Sequence, residues 1–232
     1  MAALVGLWIV QRELCRSKLP SDAIDAAVAG IIGGLVGAKL LWVVEHMAEG
    51  PLVDLLLSRG GLSWFGGFLG GLLAGLGMMQ RRRLPKVAVL AAATPALAFG
   101  HLIGRIGCFL VGDDYGRPSN LPWAVAFPQG LPPTEVPVHP TQIYEAIGLA
   151  ILGWALLKWR RQGADDRIVL GRYLVFAGTL RFSIEFIRVN ARVLGGLTVA
   201  HLISLAVIIV GVGMLFVSRP EPRAPHFSRT PA

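Results

Sequence analysis

Apolar and polar residues are not interleaved along this chain; they come in blocks. One apolar run covers residues 1–10. Longer ones cover residues 23–44, 62–79, 87–103, 140–157, 168–189 and 194–217. A helix needs about 20 consecutive apolar residues to cross a bilayer core. Runs this long without period-two alternation read as helices whose solvent is lipid. The pattern predicts an all-α polytopic membrane protein of about seven transmembrane helices. The first run is about half the spanning length. It lacks the basic n-region and small-residue cleavage site of a signal peptide, so the expectation is that coding sequence continues upstream; a short first helix is the alternative. Gly30, Gly33, Gly34 and Gly37 in the second run, and Gly67, Gly71 and Gly75 in the third, form stripes at helical spacing. Such stripes let neighbouring helices approach closely. Asp22 and Asp25 suit a helix N-terminus, and Pro95 should kink the fourth span.

Charge orients this pattern. The chain carries a formal net charge of +8, yet only 16% of its residues are charged and 54% are hydrophobic. Most of the lysines and arginines cluster between spans: Arg12, Arg16 and Lys18; Arg81, Arg82, Arg83 and Lys86; Lys158, Arg160, Arg161 and Arg167; and Arg219 onward. Clusters of that kind mark cytoplasmic loops and argue against nucleic acid as the partner. The expected layout is a multi-pass protein of the bacterial inner membrane, N-terminus outside and C-terminus cytoplasmic. Residues 1–218 would form a single transmembrane domain and residues 219–232 a disordered tail. Residues 105–138 carry prolines at 118, 122, 128, 132, 133 and 137. They are too long for a turn and too apolar for a disordered linker, which predicts an ordered outer-face arm between the fourth and fifth helices. Cys15 and Cys108 fall on opposite sides, so no disulfide is expected. There is neither a zinc-like Cys/His cluster nor a P-loop, so no metal or other cofactor is expected.

Arg59, Arg105, Arg117, Arg181, Arg188 and Arg192 lie on the outer side, against the charge rule, and need another reason to be there. Arg105 stands among Gly104, Gly107, Cys108, Gly112, Asp113 and Gly116. A guanidinium beside exposed backbone N–H groups suits a phosphate or carboxylate; a helix end with a snorkelling arginine and a glycine turn is the plainer account. Arg181, Glu185 and Arg188 sit at i, i+4 and i+7 and share a helical face. They are either a ladder of weak ion pairs or part of a site, since ionisable groups inside a membrane are costly. His101 and His139 are candidate bases or hydrogen-bonded structural histidines. Gln142, Tyr144 and Glu145 begin the fifth span and either line a site or hold the arm. Lys39 either snorkels or touches a lipid phosphate.

Four stretches in order are similar to the motifs of the prolipoprotein diacylglyceryl transferase family. They are Arg59-Gly-Gly-Leu-Ser-Trp-Phe-Gly66-Gly67, Gly104-Arg105-Ile-Gly107-Cys108, His139-Pro-Thr-Gln142-Ile-Tyr144-Glu145 and Arg181-Phe-Ser-Ile-Glu185-Phe-Ile-Arg188. The resemblance implies transfer of a diacylglyceryl group from phosphatidylglycerol to the lipobox cysteine thiol of prolipoproteins. The partners it implies are phosphatidylglycerol, prolipoprotein signal peptides and membrane lipids. It makes Arg105 and Arg181 phosphate binders and Glu185 the group that orients an arginine. Arg188 becomes secondary, and Gly66, Gly67, Gly112, Asp113 and Gly116 substrate-binding. The chain departs from the family pattern at Phe65, where a histidine is common, at Cys108 for asparagine and at Ala177 for tyrosine. The early tyrosine is absent. His101, one turn before Arg105, is placed to stand in for the lost histidine. Two rivals stay open: a paralogue that binds anionic phospholipid with altered or lost catalysis, and a solute transporter, which would predict inverted repeats.

Overall fold

A computed structural model describes residues 1–58, 61–190 and 192–217. The expectations for Arg59 and for a disordered tail from residue 219 fall outside these residues. The described chain is mostly helical: α1 (Ala2–Arg16), α2 (Ala23–Glu45), the short α3 (Leu52–Leu57), α4 (Trp64–Arg81), α5 (Lys86–Val111), α6 (Thr141–Arg161), α7 (Asp166–Glu185) and α8 (Val199–Val217). A two-stranded antiparallel hairpin, β1 (Val125–Phe127) and β2 (Thr134–Val138), lies between α5 and α6. By length and composition α2, α5 and α8 are able to cross a membrane. Large apolar side chains such as Ile32, Leu35, Leu40, Phe68, Leu73, Ile151 and Ile209 point outward. That surface suits a molecule whose surroundings are apolar.

The element boundaries follow local chemistry. Asp165 caps α7, its Oδ1 accepting from Arg167 N at 2.8 Å and Ile168 N at 3.3 Å. The largest departure from expectation is at α5. The glycine-rich stretch around Arg105 reads as a loop, whereas the helix continues through Gly104 and Gly107 to Val111 and stops at Gly112, whose φ of 75° is left-handed. Glycines inside an apolar environment lose less helix than they do in water, because the backbone has no competing solvent. Gly112 is where the chain needs glycine: a Cβ there would sit 2.9 Å from Gly130 Cα and 3.0 Å from the Phe127 ring. The expected boundaries of the last two helices also shift, with α7 ending at Glu185 rather than near 189 and α8 starting at Val199 rather than 194.

Two packing units result. The glycine stripes bring α2 and α4 together as the most extensive helix pair. A Cβ on Gly37 or on Gly70 would lie 3.0 Å from the other's Cα. The second unit is α5 to α8, with Ala91, Ala98, Leu152, Leu156, Val169 and Leu170 in its core. Gly171 and Gly211 repeat the close approach between α7 and α8. Helix α1 bridges the units, packing Ile9, Val10 and Leu14 against Ala23, Ala26, Val89, Ala92 and Ala96. Because α4 barely touches α5, a cavity of about 580 Å³ remains between the units, walled mainly by apolar side chains and glycines of α1, α2, α4 and α5.

The stripe makes a sharp prediction. Alanine at Gly37 or Gly70 should cost about 1–3 kcal/mol through overpacking. Alanine at Gly77, where a Cβ meets nothing within 4 Å, should be neutral or gain up to about 1 kcal/mol of helix propensity. Unfolding of the purified variants in mild detergent measures both, and equal effects at all three positions would disprove backbone contact.

Candidate functional site

The end of α5, the start of α6 and the end of α7 meet at one end of the bundle. Four hydrogen bonds bring them into register. Thr141 Oγ1 donates to Asp114 O at 2.8 Å, and Gln142 Nε2 donates to Asp113 O. Gly116 N donates to His139 O at 2.9 Å and Arg117 N to Ile187 O at 2.8 Å. The 113–117 segment is thereby laced between the entry to α6 and the exit from α7. A Cβ on Gly116 would sit 2.7 Å from Ile187 O and 2.8 Å from Thr141 Cγ2, so only glycine lets the three segments close up. Asp114 takes a left-handed φ of 63°, a conformation aspartate tolerates better than most residues.

Six ionisable side chains then form a closed ring of alternating sign. Arg105 Nε lies 2.7 Å from Glu145 Oε2, and Glu145 Oε1 lies 3.7 Å from Arg181 NH1. Arg181 NH2 lies 2.7 Å from Glu185 Oε2, which is 3.8 Å from Arg188 Nε. Arg188 NH2 pairs with Asp114 Oδ1, and Asp114 Oδ2 closes the ring 2.8 Å from Arg105 NH1. Glu145 is 1% exposed and Glu185 2%. Burying charges to this degree is tolerable only when each is paired. For Asp114, burial alone would raise the carboxyl. The bonds and charges of Arg188, then Arg105, outweigh burial and hold it below its ordinary value.

The ring is braced from α8. Thr198, just before that helix, donates to Glu185 Oε1 at 2.6 Å, and Asn190 Nδ2 donates to the same oxygen at 2.7 Å. Thr198 Oγ1 also accepts from His201 N at 3.3 Å, as an N-cap does. Glu185 Oε1 is thus occupied, which leaves Oε2 to face the arginines. Arg181 NH1, Arg188 Nε and Arg188 NH1 are buried donors, and Glu145 Oε2 and Glu185 Oε2 buried acceptors, with no hydrogen-bond partner among the described residues. The ring is therefore held at these atoms by charge, with both donors and acceptors left over.

Most predicted site residues converge here, in different roles. Arg105, Arg181, Glu145, Glu185 and Arg188 are ring members. His101, one turn before Arg105 on α5, accepts from Arg105 Nε through Nε2 at 3.2 Å and also lines the large cavity. Gly104 and Gly107 have open space beside them, and His101 is the residue through which the cavity wall meets the ring. Asp113 contributes its carbonyl to Gln142; its carboxylate, Cys108 Sγ and an Asp114 oxygen lie within 4.8 Å of one another. Both Asp114 oxygens are already bonded to arginines. His139 Nδ1 is 3.4 Å from Tyr144 Oη, which accepts from Trp123 Nε1 at 2.7 Å, so this trio ties the hairpin segment to α6. Gly66 and Gly67 pack α4 on α2, and Lys39 bonds Ser58 O at 2.9 Å and Ser58 Oγ at 2.8 Å. Asp114, Thr198 and Asn190 are ring participants that sequence reading missed. Only Thr198 carried a signal, a capping residue type ahead of an apolar run.

Comparison with known proteins bears on the same stretch of chain. A family model described as prolipoprotein diacylglyceryl transferase matches residues 1–217. A Methylobacillus flagellatus protein named phosphatidylglycerol--prolipoprotein diacylglyceryl transferase is 35% identical over 220 residues, which is 91% of this chain and 82% of the relative. A Bordetella bronchiseptica protein of that name is 34% identical over 214 residues, with 87% and 79% covered. One from Clostridium tetani is 32% identical over 201 residues, with 84% and 80% covered.

Glu145 is the carboxylate that joins α5 to α7, so Glu145→Gln should lower stability by about 3–5 kcal/mol, the cost of stranding buried charge. Arg105→Gln should be destabilising too. The double variant should be less damaged than the sum by about 0.5–3 kcal/mol. Denaturation of the four proteins in detergent gives the coupling, and strict additivity would show that the pair does not interact.

Proposed function

The chain belongs to the prolipoprotein diacylglyceryl transferase family, and we propose that it moves a diacylglyceryl group from phosphatidylglycerol to the lipobox cysteine thiol of prolipoproteins. The observation that carries this reading is Glu145 holding Arg105 and Arg181 on either side of one carboxylate. Two guanidiniums at that spacing, with NH1 of Arg181 unused, offer planar bidentate groups to one phosphate. The apolar cavity beside His101 is of a size and composition to take the lipid's acyl portion.

In the reaction the thiolate sulfur attacks the glyceryl carbon that carries the phosphate ester. The S–C bond forms as the C–O bond breaks, and glycerol phosphate departs with the electron pair. Arg105 and Arg181 stabilise the charge that grows on the leaving group. A free thiol has a pKa near 8.5, so its proton needs an acceptor. His101 is our choice, because it touches Arg105 and faces the cavity. The contacts of His139 suit a role in holding the hairpin, together with Gln142 and Tyr144. Glu185, Arg188 and Asp114 keep the clamp in shape. Gly104 and Gly107, with Cys108 beside them, leave room for substrate along α5, whereas Gly112, Asp113 and Gly116 hold the segment beyond α5 in place. Phe65 supplies no polar group where the family commonly has one.

The reading places a multi-pass protein in the bacterial inner membrane as a single domain of about seven spans: α1, α2 and α4 to α8. The 112–140 segment forms an outer-face arm, and the C-terminus is cytoplasmic. The basic clusters at Arg81–Lys86 and Lys158–Arg167 support that orientation. A cysteine introduced at Gln129 should react with a membrane-impermeant maleimide in spheroplasts, while one at Gln162 should not. Reversed labelling would sink the topology and the outer-face site with it.

The clamp is tested by replacing each arginine with lysine, which keeps the charge and loses the fork. Arg105→Lys and Arg181→Lys should each reduce transfer by about tenfold to a thousandfold, the range for losing a transition-state donor. Arg192→Lys should change it little. The assay follows labelled diacylglyceryl from phosphatidylglycerol to a lipobox peptide with folded protein matched. Unimpaired site variants would remove the clamp; an inactive parent protein that still binds lipid would favour the paralogue without catalysis.

A further inference from the structure

At the end of the bundle away from the charge ring, a second buried ion cluster joins α1 to α6. Arg160 Nε lies 2.7 Å from Glu13 Oε2, its NH1 lies 3.1 Å from Asp166 Oδ1, and its NH2 donates to Ser17 Oγ at 2.6 Å. Arg16 adds a contact to Glu13 at 3.4 Å. Two concavities flank this cluster and share Arg161. One is an apolar groove of about 370 Å³ between α1, α5 and α6, walled by residues such as Val5, Ile9, Leu102 and Leu157. Arg12 and Arg161 stand at its polar end. The other, of about 360 Å³, is basic and is lined by Arg16, Ser17, Arg160 and Arg161.

The charges do not cancel at this mouth. Glu13 also lines the groove, but its carboxylate is held by Arg160 and Arg16 and that of Asp166 by Arg160, whereas Arg12 and Arg161 make no ion pair among the described residues. Arg12 instead lies over the Trp8 ring, 5.5 Å from its centroid, and Trp8 is 60% exposed. A tryptophan stacked under an arginine belongs at headgroup depth. A basic pocket between helix ends is the arrangement that takes an anionic headgroup. An apolar trough opening onto surplus cations fits an amphiphile with a negative head: a free anion leaves the trough empty, and a zwitterionic lipid brings its own cation up to the arginines.

We propose that this groove binds one anionic phospholipid, acyl chain between α1, α5 and α6 and phosphate on Arg12 and Arg161, at a site separate from the charge ring. Such a lipid straddles α1 and α6 and reinforces the Arg160–Glu13 bridge between them. The site does not depend on the transferase reading, because no ring residue takes part.

The test uses the full chain, stripped of lipid in neutral detergent and titrated with dioleoyl phosphatidic acid or dioleoyl phosphatidylcholine. Native mass spectrometry counts the lipids retained, and melting curves confirm that each protein is folded. The parent protein should hold phosphatidic acid at a site that survives Arg105→Gln. Arg12→Gln and Arg161→Gln should weaken it about fivefold each and about thirtyfold together, as expected for two cations near a headgroup. Leu157→Trp, which fills the trough and leaves the arginines, should weaken it as well and carries the test if the glutamine variants fail to fold. Equal retention of phosphatidylcholine, unchanged phosphatidic acid binding in the folded variants, or displacement of the lipid by millimolar inorganic phosphate would each overturn the proposal.

Discussion

Buried charge has to be paired, and in this molecule that requirement fixes where three helices end. Each of the six ring members is ion-paired with the next, so moving one element separates two pairs at once. Arg105 fixes the C-terminal part of α5, Glu145 the start of α6, and Arg181 with Glu185 the last turn of α7. Arg188 and Asp114 recruit the chain beyond α7 and beyond α5. Alternation is what makes the ring tolerable: every cation has an anion on both sides. Close to lipid the alternative to pairing is an isolated ion in a medium of low dielectric, which costs several kcal/mol.

The apolar part of the fold answers to a different constraint. Lipid offers helices no hydrophobic reason to associate, so contact has to come from close packing. Glycine stripes supply it between α2 and α4 and again between α7 and α8. Such contact is short-ranged, and it draws α2 and α4 onto each other instead of onto α5. The cavity is a consequence of that imbalance. It opens where two tightly packed units meet loosely, and His101 connects its wall to the ring.

Much of this was legible in sequence, for reasons that differ by residue. Helix existence followed from apolar run length, and α2 and α4 to α8 appear near where those runs lie; the short α3 falls between two of them. Helical spacing predicted that Arg181, Glu185 and Arg188 share a face, and it holds for the first two; α7 ends at Glu185, and Arg188 reaches the ring from the chain beyond the helix. Arg105 was legible as out of place on the outer side, but its surroundings were misread, because glycine density suggests a loop where an apolar setting preserves a helix. Glu145 was legible as a site residue but not as the bridge between two arginines, since that role depends on which helices become neighbours. The choice of Asp114 over Asp113 turns on one left-handed residue after Gly112, and nothing in two adjacent aspartates announces it. The same holds for His139, whose motif is conspicuous while its contacts run to Tyr144 and the hairpin.

The two buried ion clusters also define a length. Glu145 and Arg160 lie on the same helix, and 15 residues at about 1.5 Å each put them roughly 22 Å apart along α6. A bilayer's hydrocarbon core is about 30 Å thick. On the seven-span reading proposed above, with α6 along the membrane normal, each cluster would lie a few ångströms inside the apolar boundary, deep enough to need pairing and shallow enough to be reached from the headgroup layer. The placement is useful for a protein that handles lipid phosphates. A phosphate need only descend one helical turn to meet a guanidinium, and its chains remain in hydrocarbon throughout. Deeper arginines would require the phosphate to shed its water in the middle of the membrane, and shallower ones would be screened by solvent and salt. The depth of the ring reconciles strong electrostatics with access for an amphiphile.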